Sequence, residues 1–212
     1  MPQIDKVRVR LQAILTYLFL RVLRRSKLKE KRELRYLEEP ITVFVFESNS
    51  PIFAQATPFS TILWNDTRIE GLSNQAKEFI LRHERSHRDR NSVYKGLLYG
   101  MAVWCASGIV LLLFAGLFLV LGTSLSSLQL PLAVAVVLII PFFILFRVEE
   151  TVADYHVIQE LGEEDFIEAY AEVAANSDNS LTAQIFTRFL YTKPEDTIRL
   201  YHALQNSSIS AK

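Results

Sequence analysis

Residues 83–87 read HERSH and close the stretch NQAKEFILRHERSH, residues 74–87, on which the reading of the whole chain turns. Ser73 precedes it as a candidate N-cap, and Phe79 and Ile80 lie one turn before His83 and Glu84. The spacing therefore predicts a helix whose histidine face continues an apolar stripe toward the core. Helical residues four apart differ by about 40° in direction and about 6 Å in height, so His83 and His87 share a face and can hold one ion between them. Glu84 stands beside them. Two imidazoles suit Zn²⁺, which in catalytic sites takes three protein ligands and keeps a position for water. A glutamate directly after the first histidine can take a proton from that water. A solvated charged turn would use the same five letters, so the decision rests on a third ligand.

The third ligand is separated from the first two by a run without charge. No Asp, Glu, Lys or Arg occurs between Lys95 and Arg147, and the interval supplies two apolar lengths, Leu98 to Leu121 and Leu128 to Phe146, parted by GTSLSS at 122–127. About 20 apolar helical residues cross a bilayer core of about 30 Å, so the interval is expected to form a transmembrane hairpin; a soluble helix would keep one polar face. Arg88, Arg90 and Lys95 before it and Arg147 after it, with no charge in the turn, place both polar regions in the cytoplasm by the positive-inside rule. A hairpin returns the chain to the side it left. It brings EETVAD, residues 149–154, back toward the histidine helix. Glu150 and Asp154 are four apart there, so one carboxylate can bind the ion while the other orients a ligand histidine through its ring N–H. Glu149 is the rival third ligand.

The rest of the chain is expected to complete one catalytic domain around this hairpin. VRVRLQAILTYLFLRVLRRSKLKEKRELR, residues 7–35, is apolar in its middle and basic after it. Ten or so apolar residues are too few to span, so residues 1–39 are expected to form a basic amphipathic helix. It would lie in the membrane interface against anionic lipid or, alternatively, cover the soluble core. Residues 40–95 carry ITVFVFES at 41–48, a strand by its β-branched and aromatic content, one or two further strands in 52–66 interrupted at Pro58, and the HExxH helix. Residues 96–147 are the hairpin. Residues 148–205 hold three helical patterns, the first stopped by Gly162 and the last opening at Pro194, and 206–212 form a polar tail.

Composition removes other classes of function. The 212 residues carry 23 basic and 23 acidic side chains, and the basic run lacks a recognisable module around it, so nucleic acid is not expected as a partner. Cys105, the only cysteine, lies within the first apolar length, which excludes an intrachain disulfide and a cysteine metal site. The first apolar run, Leu11 to Leu20, is followed by basic residues rather than a small-residue cleavage site, so it is not read as a signal peptide. No glycine-rich phosphate loop and no G-x-S-x-G elbow occurs.

HERSH at 83–87, an apolar hairpin and ETVAD at 150–154, in that order, resemble the HtpX-like integral membrane metalloproteases, relatives of the CAAX prenyl proteases, whose pattern is HExxH, a transmembrane pair and ExxAD. PIFA at 51–54 followed by STILWND is similar to that family's NAFA segment and strand, and Leu161-Gly162 to its loop after the ExxAD helix. The resemblance covers roughly Ile41 to Leu204. It implies an α+β fold, a mainly helical zincin-type (gluzincin) domain with a small β-sheet interrupted by a transmembrane helical hairpin. It also implies one zinc ion held by His83, His87 and Glu150, Glu84 as general base, and Asp154 behind a ligand histidine. The family's THP…RI near the C-terminus corresponds here to Thr192-Lys193-Pro194…Thr197-Ile198, with lysine for histidine and threonine for arginine. His156 and Tyr155 are weaker candidates for the cleft, Arg199 or Tyr201 for stabilising an oxyanion, and His202, in the terminal helix, is read as structural.

The expected function is a membrane-bound zinc metalloendopeptidase that hydrolyses membrane or misfolded polypeptides at the cytoplasmic surface, with membrane lipid as a further partner. The alternative is a catalytically weak zinc-binding membrane sensor or scaffold; a soluble interaction protein ranks third.

Overall fold

The structure, a computed structural model, describes residues 11–16, 18, 28–49, 51–121, 129–177 and 192–210. Strands β1 (Leu28–Leu34), β2 (Ile41–Phe46), β3 (Ala54–Ala56) and β4 (Ile62–Asn65) are followed by helices α1 (Asp66–Ile69), α2 (Asn74–Asp89), α3 (Ser92–Leu121), α4 (Gln129–Leu161), α5 (Glu163–Ala175) and α6 (Pro194–Ser210). The described chain is mainly helical with one small sheet.

The sheet has the order β1-β2-β4-β3, with β1 antiparallel to β2, β2 parallel to β4, and β3 antiparallel to β4. Alternation sorts its side chains. Val43, Val45, Ile62 and Trp64 face the main core with Phe79 and Ile80 of α2, Val157 and Ile158 of α4, and Phe166 of α5. Phe44, Phe46 and Leu63 point the other way, where Ala13 packs on them. The loop between β2 and β3 is held by Asn65, which is fully buried: its Nδ2 donates to Ser48 O at 3.0 Å and Ile52 O at 2.9 Å, and its Oδ1 accepts from Ser48 N at 3.2 Å. A buried amide with all these bonds made fixes the path into β3.

The helices that carry the chemistry have clear boundaries. Ser73 caps α2, its Oγ accepting from Ala76 N at 3.1 Å. Glu172 of α5 accepts from both Ser73 N (2.7 Å) and Ser73 Oγ (2.5 Å), so the start of α2 is tied to a second helix. Gly162 ends α4 with φ 89°, a left-handed conformation that a side chain would disfavour. Arg82 bonds Glu78 on its own helix and Glu160 on α4.

One expectation needs correction. Residues 28–34 lie within the segment expected to be a basic helix, and they form strand β1. Lys, Glu, Arg and Leu favour helices locally, but β2 has an open edge whose backbone groups need partners, and that tertiary pairing outweighs propensity. Arg32 adds a two-pronged bond to Asp66, at 2.9 and 2.8 Å. The charged side chains of β1 also suit an edge strand, because they discourage pairing with another chain. Residues 11–16 are helical and one face packs on the sheet: Thr16 is fully buried and its hydroxyl lies 2.9 Å from that of Thr61. Residues 1–10 and 19–27 lie outside the described residues.

The expected hairpin falls partly outside the described residues. Among the described residues no helix is long and apolar enough to cross a membrane, so a transmembrane hairpin is not seen in them. Helices α3 and α4 carry the two expected apolar lengths and pack on one another. The side chains of 117–142 and the turn at 122–127 lie outside the described residues. At the other end, α6 continues through Ser210, into the segment expected to be a polar tail.

Candidate metal centre

Helix α2 presents His83 and His87 on the face that meets α4, and α4 presents Glu150 and Asp154 in return. His83 Nε2 lies 3.1 Å from His87 Nε2 and 3.3 Å from Glu150 Oε2, and His87 Nε2 lies 3.3 Å from Glu150 Oε1. Among the described residues these three form the one group that could hold a metal ion. The donor types fit zinc, two imidazole nitrogens and a carboxylate, and one ligand atom from each residue lies within 4.8 Å of the others. Three protein donors leave a fourth position for water or substrate.

The two carboxylates set the protonation of the histidines. Asp154 Oδ1 lies 2.9 Å from His83 Nδ1, and a carboxylate accepting there keeps a proton on Nδ1 and turns Nε2 to the triangle. Burial would push the Glu150 carboxyl up, but the bonds from His83 and then His87 outweigh it and bring its pKa to about 2. Burial likewise opposes charge on His83. Its bonds to Asp154 and then Glu150 prevail and hold its pKa well above the ordinary histidine value. The two carboxylates thus favour a positive charge at this place, on the His83 ring when no ion is bound and otherwise on a cation, which would displace the Nε2 proton.

Glu84 leans to the sheet. Its Oε2 accepts from the backbone N–H of Ala56, the last residue of β3, an edge strand with a neighbour on one side only. Glu149 takes no part in the triangle: Arg90, at the end of α2, donates to Glu149 Oε2 at 2.8 Å, to Glu149 O at 3.1 Å and to Ser86 O at 3.2 Å. Sequence reasoning used Arg90 only as a flanking charge and did not foresee this bond. A buried guanidinium needs several acceptors, but nothing in one sequence says which carboxylate supplies them. The bond of Ala56 to Glu84 was equally out of reach, since a backbone donor leaves no mark in the residue names.

The weaker candidates lie elsewhere in contacts of their own. His202 Nε2 pairs with Glu163 Oε1 at 3.0 Å, Arg199 is exposed beside Asp196 at 3.7 Å, and Tyr201 OH accepts from Gln205. Tyr155 OH accepts from Gln159 at 3.2 Å, with the half-buried His156 ring beside it. In the C-terminal segment Thr192 bonds Thr151 of α4, Lys193 is exposed, and Thr197 is fully buried with its hydroxyl on Lys193 O at 3.4 Å.

Two histidines one helical turn apart, a glutamate between them and a carboxylate from a second helix define the donor set of a zinc metallopeptidase. The model of peptidase family M48 matches residues 13–207, and the chain belongs to that family of zinc metallopeptidases. No curated protein and no solved structure matches it.

Proposed function

We propose that the chain is a zinc endopeptidase anchored in a membrane, which cleaves membrane or misfolded polypeptides at the cytoplasmic surface. The observation that carries the catalytic part is the triangle of His83, His87 and Glu150, in which one ligand atom from each residue lies within 4.8 Å of the others. Zinc bound there would polarise the scissile carbonyl and lower the pKa of its water to about 7. Glu84 would serve as the general base, carrying a proton from the attacking water to the leaving amine. Ala56 N–H holds the Glu84 carboxylate meanwhile, and the outer edge of β3 offers the backbone groups on which an extended substrate can pair. Asp154 keeps His83 in the tautomer that leaves Nε2 free.

Membrane anchorage is supported by exposed apolar side chains. On α3, Trp104 is 81% exposed, Leu112 74% and Leu113 69%, and Ile144, Leu145 and Phe146 of α4 are exposed as well. The uncharged run from 96 to 146 connects them. A bilayer would cover such surface; water would not. The two spans would lie within 98–121 and 128–146.

The test uses full-length protein purified in detergent. Chelator-sensitive cleavage of an unfolded membrane protein is expected, with Glu84→Gln keeping zinc and losing cleavage. Zinc bound without cleavage of any such substrate would favour the sensor or scaffold. Quantitative release from membranes by carbonate would remove the anchorage.

A further inference from the structure

A cavity of about 330 Å³ opens between the last turns of α2, the starts of β2 and β4, and the helical residues 11–16. Lys31, Arg85, Arg88 and Glu39 line it, with Gln12 and Thr42 among the neutral groups. Three cations thus meet one carboxylate. Arg85 and Arg88 share Asp89, at 3.4 and 2.7 Å, and a single carboxylate cannot neutralise two guanidiniums. Lys31 has no ion-pair partner among the described residues. A concave surface with surplus positive charge concentrates anions, and guanidinium groups present paired N–H donors that match phosphate oxygens. Glu39 opposes a second phosphate, so the site suits a single one.

Its position says where that phosphate comes from. Arg88 lies four residues before Ser92, the first residue of the apolar helix α3. Gln12 belongs to the helical stretch whose Leu11, Ile14 and Leu18 are exposed at 54%, 56% and 47%, although other residues of the stretch pack on the sheet. The cavity is therefore lined by a residue of the stretch with exposed apolar side chains and by the helix end that leads into α3. We propose that it binds the phosphate of a phospholipid headgroup, seating the catalytic domain on the bilayer. This rests on the membrane placement proposed above but not on the zinc chemistry.

The test is calorimetric titration of full-length Glu84→Gln protein in a neutral maltoside detergent with dihexanoyl phosphatidylglycerol, dihexanoylglycerol and inorganic phosphate. Saturable binding of the phospholipid is expected, with none of the phosphate-free diacylglycerol and weaker binding of phosphate alone. Lys31→Gln with Arg88→Gln should weaken binding by about a hundredfold, since each lost charge is expected to cost about tenfold, or about 1.4 kcal/mol. Glu39→Gln should tighten it, a gain that a misfolded variant cannot give. Phosphate binding as tightly as the lipid would move the assignment to a free anion and overturn the headgroup. No saturable binding, or equal binding by the double variant, would overturn the site itself. Zinc content and cleavage by wild-type protein, measured beside it, report separately on the catalytic reading.

Discussion

Asp154 and His83 are joined across two helices by a 2.9 Å hydrogen bond, and that bond decides which nitrogen of the histidine faces the ligand triangle. Removing the acceptor frees the imidazole to turn and to change tautomer. Outer partners of this kind are worth about 10–100-fold in metal affinity. Asp154→Ala should weaken zinc binding by that amount in competition with a chromophoric chelator. Unchanged affinity would mean that packing alone orients the ring.

Arg90 clasps the end of α2 to the residue before Glu150. Two of its bonds go to backbone carbonyls, Glu149 O and Ser86 O, and survive loss of the Glu149 side chain. Arg90→Ala should therefore lower thermal stability and zinc affinity more than Glu149→Ala does, because it removes all three side-chain bonds at once, and a bond to a charged group is worth about 1.5–3 kcal/mol. The reverse order, read by melting and zinc titration on the same preparations, would show that the side-chain pair is what matters.

Asn65 tests the support beneath the edge strand. Asn65→Leu keeps the branching at Cγ and loses the bonds to Ser48 and Ile52. Stability should fall by about 3 kcal/mol in denaturant titration, and cleavage should fall with it as β3 loses its anchor. Full stability in the variant would assign the loop to other contacts.

Glu172 gives a pH dependence with a definite sign. Its bonds from the Ser73 hydroxyl and then the Ser73 amide hold its carboxyl below the usual value. A depressed folded pKa stabilises the fold above the unfolded value, about 4.3, and the gain is lost as pH falls through the folded one. The stability difference between wild type and Glu172→Gln should be full above about pH 5 and shrink in acid. A difference that stays constant to pH 3 would contradict it.

The sequence was most informative where a residue type has one physical use. Ser73 as a cap, Gly162 as a stop, the four-residue spacing of His83 and His87, and the ExxAD register of Glu150 over Glu149 all describe the structure as found. It was least informative where a distant partner decides. Strand β1 exists because β2 has an edge to fill, and Leu28–Leu34 carries the letters of a helix. Arg90 and the Ala56 amide acquire their roles only when helices and sheet have met.

Zinc stoichiometry of the purified full-length protein, with wild type, Glu150→Ala and Glu149→Ala side by side, bears most directly on the idea that two segments parted by an apolar hairpin share one ion. One zinc per chain in wild type and in Glu149→Ala, with loss in Glu150→Ala, is the expected result. Retention in Glu150→Ala with loss in Glu149→Ala would contradict the site.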